Sequence, residues 1–397
     1  MEARESGAAG RLTVGICFIA ALVEGVDNQS MGVALPRLAP AFHLDPSQAG
    51  FAASASVLGL LIGAALGGWF ADRIGRKAVL IASMLALGVF SLATTIAPDY
   101  SGLLAIRVLA GMGLGGAFPV MIALSGEAVP PRWRSTAIGL MYCGMPLGGM
   151  GASATGLLSG EWRTVFYLGG FTPLLVALLV LLAMPESKVF RQAKAETTAR
   201  PPVPRVLFGD GRAPTTLMLW VGYFFTLLVL YVLLNWLPSL LIGKGLSRPE
   251  AFWASILLNL GGAIGSAVFG ILLDNGKGRM AATGIYIGLA LSMAALGAFS
   301  GFGPLLAAAF AAGFFVLGGQ LILYALTPLY YPVRVRATGT GAAVAAGRLG
   351  SLTGPIAAGA LLTGGASAGT VLGATVPGMV LALIGLILVQ FRPVSPD

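Results

Sequence analysis

Glu24, Asp27, Arg107 and Arg348 each lie within a stretch that is otherwise apolar over membrane-spanning length. A charge held in hydrocarbon is costly unless another charge, a dipole or water meets it, so each of these residues is a candidate for function. Glu24 and Asp27 are three residues apart and share one helix face. Counted at about 1.5 Å per residue from position 13, they stand roughly 16 and 21 Å along their helix and are expected to face a central cavity. Two carboxylates in one low-dielectric site do not readily ionise together, which suits the pair to carrying a proton. Arg107, about one turn inside its helix, is placed to reach Asp27 and favour its charged form; bonding to the backbone of the first helix is the competing role. Arg348, roughly 15 Å along a helix that begins near position 338, comes close to the bilayer midplane. There a planar guanidinium can hold a carboxylate through two parallel hydrogen bonds. A structural ion pair is the alternative, but the second half of the chain offers no carboxylate at that depth, since Glu250 and Asp274 stand at helix ends. An organic anion is therefore the expected partner. The sole histidine, His43, lies outside the apolar stretches near a helix end, so proton chemistry would rest on the carboxylates. Glu127, close to Pro130 and Arg132, reads as a gate or loop ion pair.

The segments that must carry these residues follow from composition. Of 397 residues, 57% are hydrophobic and 10% charged, and the mean hydropathy is +0.88. No soluble domain buries that much apolar surface and keeps a wettable exterior, so lipid is the solvent for most of the chain. A hydrocarbon core about 30 Å thick asks for roughly 20 apolar residues of helix. Twelve segments meet the condition: 12–36, 49–70, 78–97, 103–126, 135–160, 164–184, 214–242, 250–273, 281–300, 303–326, 338–363 and 368–391. The first is read as a span because no small-residue cleavage pattern leads from it into a polar mature domain. The formal charge of +9 does not imply nucleic acid, because the basic residues fall between apolar segments. With the N-terminus in the cytoplasm, fifteen Lys and Arg fall in cytoplasmic connections and four, Arg37, Arg163, Lys244 and Arg248, on the other side. That imbalance sets both termini inside. Cys17 and Cys143 both lie in apolar runs, which excludes a disulfide framework and a cysteine-based metal cluster.

Residues 185–213, basic and containing Pro201, Pro202 and Pro204, form the longest polar connection. They are expected to link a six-helix bundle over 1–184 to a second over 214–397. The halves repeat in sequence. Asp72 and Asp274 differ by 202 positions (274 − 72), as do Arg134 and Arg336 (336 − 134). Gly68 with Gly270, Pro130 with Pro332, Thr136 with Thr338 and Gly139 with Gly341 keep the same register, whereas Gly75 meets Lys277. A constant offset across two loops argues for duplication of a six-helix unit, with substrate between the halves near the midplane and transport by rocking of one half against the other.

The run from Gly68 to Lys77, GWFADRIGRK, resembles the signature loop between helices 2 and 3 of the major facilitator superfamily. Arg107 followed by Gly111, Gly113, Gly115 and Gly116 resembles that family's fourth-helix motif, and Pro185, Glu186 and Ser187 the end of its sixth helix. Physically, Gly68 would let two helices approach, Asp72 would sit against a helix N-terminus and an arginine, and the basic cluster would stay at the lipid headgroups. The resemblance implies an all-α membrane protein with twelve helices in two bundles. It also implies a conformational latch built from Gly68, Asp72, Arg73, Gly75 and Arg76, with Asp274, Arg134 and Arg336 in the matching loops. A merely topogenic basic loop would need neither Asp72 nor the glycines. Gly144, Met145, Pro146, Leu147, Gly148 and Gly149 match the motif of drug and proton antiporters only in part.

Glu24, Gly25, Val26, Asp27, Asn28 and Gln29 resemble the acidic-Gly-x-Asp motif of the aromatic acid:proton symporter family, with Glu in place of the usual first Asp. The stretch from Tyr223 to Pro238 and that from Gly318 to Gly350 resemble the same family, and the similarity spans the whole chain. Within the family the chain is most similar to the branch that carries hydroxyphenylpropionates, also at Leu140 to Gly144. What this implies is proton-coupled uptake of an aromatic carboxylic acid across the bacterial inner membrane. The family's acidic pair falls on Glu24 and Asp27, its helix 4 arginine on Arg107 and its helix 11 arginine on Arg348. A hydroxyphenyl acid needs a cation for its carboxylate, aromatic faces for its ring and an amide for its hydroxyl. Arg348, Tyr231, Trp236, Tyr142 and Tyr324, with Asn235, Gln320 and Asn259, supply those types. Helix packing and interfacial anchoring compete for the aromatics, and interhelical hydrogen bonding for the amides. The expected partners are a small aromatic acid and the lipid bilayer, with no nucleic acid; protons are the coupling ion, no cofactor or metal is expected, and the chain is expected to be a monomer. An antiporter exporting drugs or metabolites is the rival, disfavoured by the incomplete fifth-helix motif and by Arg348. A non-transporting sensor is a further rival, which an appended soluble domain would favour. No nucleophile with a base, metal cluster or phosphate loop stands in a polar segment, so an enzyme is not expected.

Overall fold

Apolar segments in lipid have no water to bond their peptide groups, and the helix satisfies them within each segment. The structure, a computed structural model, describes residues 2–130, 133–184, 207–209, 211–274, 278–332 and 336–390, and the regular elements among them are helices. Spans 1 to 4 are Glu2–Ala41, Pro46–Ile74, Arg76–Thr94 and Tyr100–Glu127. Span 5 is two helices, Arg134–Tyr142 and Gly144–Leu158, and span 6 is Thr164–Ala183. Spans 7 to 11 are Ala213–Gly243, Arg248–Asp274, Gly278–Ala298, Phe302–Leu326 with the 3-10 turn Thr327–Tyr330, and Arg336–Thr363. Span 12 is again two helices, Ala368–Gly373 and Val376–Gln390. Residues 185–206 and 210 of the expected linker lie outside the described residues.

Spans 5 and 12 differ from the continuous helices predicted, and proline is the cause. Pro146 has no N–H for the carbonyl of Tyr142 and Pro377 none for that of Gly373, so each helix ends at the residue four upstream of its proline, with the break at Cys143 and at Ala374. Among the described residues eight stretches are long and apolar enough to cross a membrane, with Ala368–Val389 across the break in span 12 counted as one. Spans 1, 5, 9 and 11 are not among these, and of the four, spans 1 and 11 carry Glu24, Asp27 and Arg348.

Two compact units emerge, Met1–Leu44 with Phe51–Thr197 and Asp45–Gly50 with Thr198–Asp397. In the first, span 1 packs along span 5, and span 3 on spans 4 and 6. In the second, span 7 packs along span 11, and span 9 on spans 10 and 12. The correspondence is atomic. A Cβ on Gly59 would collide with the carbonyl oxygen of Val108, and one on Gly261 with that of Phe310; both residues of the pair shift by 202 (261 − 59 and 310 − 108). Gly148 meets the Leu22 carbonyl as Gly350 meets that of Phe224, again 202 apart (350 − 148 and 224 − 22). Even a helix cap repeats: Gln48 N–H bonds Asp45 Oδ1 at 2.8 Å, and the residues 202 positions on, Ser247 and Glu250, close a similar box with Ser247 N–H to Glu250 Oε2 at 2.8 Å. Small residues are what bring helices close enough to hold without a hydrophobic drive between them.

Gly148→Leu is expected to destabilise the detergent-solubilised protein by at least about 1–3 kcal/mol. Gly151→Ala, where a Cβ meets nothing within 4 Å, should leave the unfolding midpoint unchanged or raise it slightly; thermal melts of the two variants check this.

Candidate functional site

Span 1 is seated against span 5 at the acidic motif itself: a Cβ on Gly25 would run into the backbone of Met145. With that face taken, Asp27 turns into the interior of its own unit. Asp27 and Arg107 are each 1% exposed. Arg107 grips the carboxylate with both terminal nitrogens, Nη1 to Oδ1 at 3.1 Å and Nη2 to Oδ2 at 3.2 Å. Ser91 Oγ on span 3 donates to Asp27 Oδ1 at 3.3 Å. Ser30 Oγ donates to the Asp27 carbonyl at 2.7 Å and accepts from Arg107 Nη2 at 3.4 Å. The Phe166 ring of span 6 lies 5.3 Å from the guanidinium carbon, within range of cation–π attraction. Of the two roles open to Arg107, the structure selects the one with Asp27. It also departs from an expectation, since Asp27 is enclosed by spans 1, 3 and 4 rather than open to a cavity. Glu24 is buried too, at 1% exposure.

In the second unit, Arg348 is half-buried on span 11 and donates from Nη1 to the Tyr231 hydroxyl of span 7 at 3.2 Å. Asn235 bonds back to the Tyr231 carbonyl at 2.9 Å, and Asn259 on span 8 to the Ser255 carbonyl at 2.9 Å. Trp236 donates its indole N–H to the Pro355 carbonyl at 3.1 Å, tying span 7 to span 11. Gln320 Nε2 reaches the Tyr324 hydroxyl at 3.5 Å, and the Tyr324 ring stands edge-on to Tyr223 at 5.7 Å. Tyr142 lies in the first unit, its ring edge-on to Phe118 at 6.1 Å. Arg348 and Tyr231 are thus brought together, and Gln320 and Tyr324 form a second pair. Sequence reasoning did not find Ser30, Ser91, Phe166 or the role of Tyr223, since a single serine or aromatic in an apolar helix carries no pattern.

At the loop between spans 2 and 3, Arg76 forms an ion pair with Glu127 at the end of span 4, as a loop pairing for Glu127 would require. Gly75 has φ 103°, a conformation that suits glycine where one helix stops and the next begins. Arg73 lies over the Trp69 ring, 3.4 Å from its centroid, and Lys77 Nζ caps span 6 through the Leu181 carbonyl at 2.9 Å. The side chains of Asp72, Asp274, Arg134 and Arg336 and the surroundings of Gly68 lie outside what is described. Gly144 and Gly148, part of the incomplete antiporter-like motif, pack against the backbone of span 1.

Residues 17–355 match the family model described as Major Facilitator Superfamily. The chain is 45% identical over 383 residues to the 3-(3-hydroxy-phenyl)propionate transporter of Escherichia coli strain K12, covering 96% of this chain and 94% of that one. It is 35% identical to the gallate transporter of Pseudomonas putida, covering 88% and 84%. Among solved structures, the xylose transporter XylE from E. coli superposes with a TM-score of 0.75 at 18% identity, covering 97% of this chain and 99% of that one, a likeness of fold.

Arg107→Met would leave the Asp27 carboxylate buried without its cation and is expected to cost about 3–5 kcal/mol of stability. Adding Asp27→Asn should recover part of that loss, because the orphaned charge is then gone; denaturation of the single and double variants measures it.

Proposed function

The chain belongs to the Major Facilitator Superfamily, and on that footing we propose that it carries an aromatic carboxylic acid of the hydroxyphenylpropionate kind into the cell together with protons, by alternating access. The observation that carries this reading is the Arg348–Tyr231 pair, a half-buried guanidinium in mid-span beside a phenol. A guanidinium presents its donors as a fork that matches a carboxylate, and the phenol can turn its own O–H toward the arriving acid. Aromatic rings for the substrate ring are supplied in the same unit by Tyr231 and Tyr324. Two of the relatives are named for aromatic acids, which supports the same substrate class.

Proton coupling is assigned to Asp27 and Arg107, with Glu24 as the second acid of the pair. A proton arriving on Asp27 cancels the charge that Arg107 grips, so the bidentate clamp loosens and spans 1 and 4 are freed to repack. No cofactor enters the proposed cycle beyond the protons themselves. The Arg76–Glu127 pair, together with the rest of the loop between spans 2 and 3, serves as the latch. The excess of Lys and Arg on one side supports the bacterial inner membrane with both termini in the cytoplasm. A bundle over 1–184, a cytoplasmic linker over 185–213 and a bundle over 214–397 make a monomer that works alone.

In proteoliposomes an inward acid gradient should accelerate uptake of labelled 3-(3-hydroxyphenyl)propionate; acceleration of efflux alone would favour an exporter. Arg348→Ala is expected to abolish binding of the acid, and wild-type affinity in that variant would remove Arg348 from the site. Asp27→Asn should stop gradient-driven uptake while binding persists, which equilibrium binding and transport assays on the same preparation separate.

A further inference from the structure

In the same unit as the Arg348–Tyr231 pair, span 10 holds a polar group that carboxylate binding does not use. Gly347, next to Arg348, faces Tyr223, whose Cβ and Cδ1 a Cβ there would meet at 3.2 Å. Tyr223 stands edge-on to Tyr324, and Tyr324 receives the Nε2 donor of Gln320. Gln320 is 5% exposed, and its Oε1 finds no hydrogen-bond partner among the described residues. The surrounding hydroxyls have partners of their own. Thr327 Oγ1 donates to Tyr223 OH at 3.3 Å, and Tyr286 OH and Thr226 Oγ1 share a bond of 2.5 Å.

A buried acceptor without a donor is a standing penalty that folding does not leave without cause. Turning the amide over would exchange an orphan acceptor for an orphan donor. A phenolic hydroxyl both donates and accepts, so it satisfies the amide in either orientation, and an unsubstituted ring satisfies it in neither. We propose that Gln320, oriented by Tyr324, receives the ring hydroxyl of the aromatic acid and sets the preference for hydroxylated over unsubstituted rings. The assignment rests on the reading of the substrate as an aromatic acid, and deepens it by naming the substituent that is recognised.

The test measures dissociation constants of 3-(3-hydroxyphenyl)propionate and 3-phenylpropionate for the purified full-length protein in nanodiscs. Wild type is expected to bind the hydroxylated acid roughly ten- to a hundredfold more tightly. Gln320→Met, close in length and without the amide, should bring the hydroxylated acid to the affinity of the unsubstituted one and leave the latter unchanged. Tyr324→Phe, which keeps the ring and removes the hydroxyl that orients the amide, should lose part of the preference. If Gln320→Met does not fold, an unchanged preference in Tyr324→Phe overturns the assignment. Equal binding of both acids by wild type, or equal weakening of both in Gln320→Met, overturns it as well. Binding of neither acid by wild type would instead sink the aromatic-acid reading on which it stands.

Discussion

The ion pair between Arg107 and Asp27 is the interaction round which the first unit is arranged. In a bilayer interior neither charge is tolerable alone, so spans 1 and 4 are held at the one separation that lets two guanidinium nitrogens meet two carboxylate oxygens. The neighbours follow from that demand. Ser91 arrives from span 3, Ser30 lies one turn along span 1, and Phe166 from span 6 closes the apolar side. A proton on Asp27 changes the one term that all of these contacts share.

Close approach of helices makes this geometry possible, and glycine makes the approach possible. Gly25 and Gly148 seat span 1 on span 5 backbone to backbone, and Gly350 does the same for span 11 on span 7. The scaffold is therefore shared between halves while the polar side chains are not. Asp27 corresponds to Val229 (229 − 27 = 202) and Arg107 to Ala309 (309 − 107 = 202). Arg348 corresponds to Pro146 (348 − 146 = 202) and Tyr231 to Gln29 (231 − 29 = 202). A duplicated frame thus carries an internal ion pair in one half and an arginine beside a phenol in the other, a division of labour that packing alone does not impose.

Much of the frame was legible in the sequence because lipid narrows the choices. Run length gave the spans, and the constant offset of 202 gave the repeat that the glycine contacts and helix caps then displayed in detail. The breaks at Cys143 and Ala374 were readable in principle, since Pro146 and Pro377 announce them, but continuous apolar runs masked them. The candidate site residues stood out by type and by their position within apolar runs. What periodicity could not reveal is the partner across the helix gap. Nothing in a single serine on span 3 says that it will meet Asp27, and nothing in Trp236 says that its N–H will bind the Pro355 carbonyl.

The sequence by itself determined that the chain crosses the membrane as helices, that its halves repeat at a constant offset, and that an arginine and a pair of acids stand within its apolar segments. It could do so because hydrocarbon admits only self-satisfied backbone and makes every buried charge conspicuous. Tertiary structure alone decided that Arg107 takes Asp27 instead of backbone, that Arg348 leans on Tyr231, and that the Gln320 amide is left with an open acceptor. Those outcomes turn on distances of a few tenths of an ångström between residues far apart in the chain, set by where glycines let neighbouring helices touch.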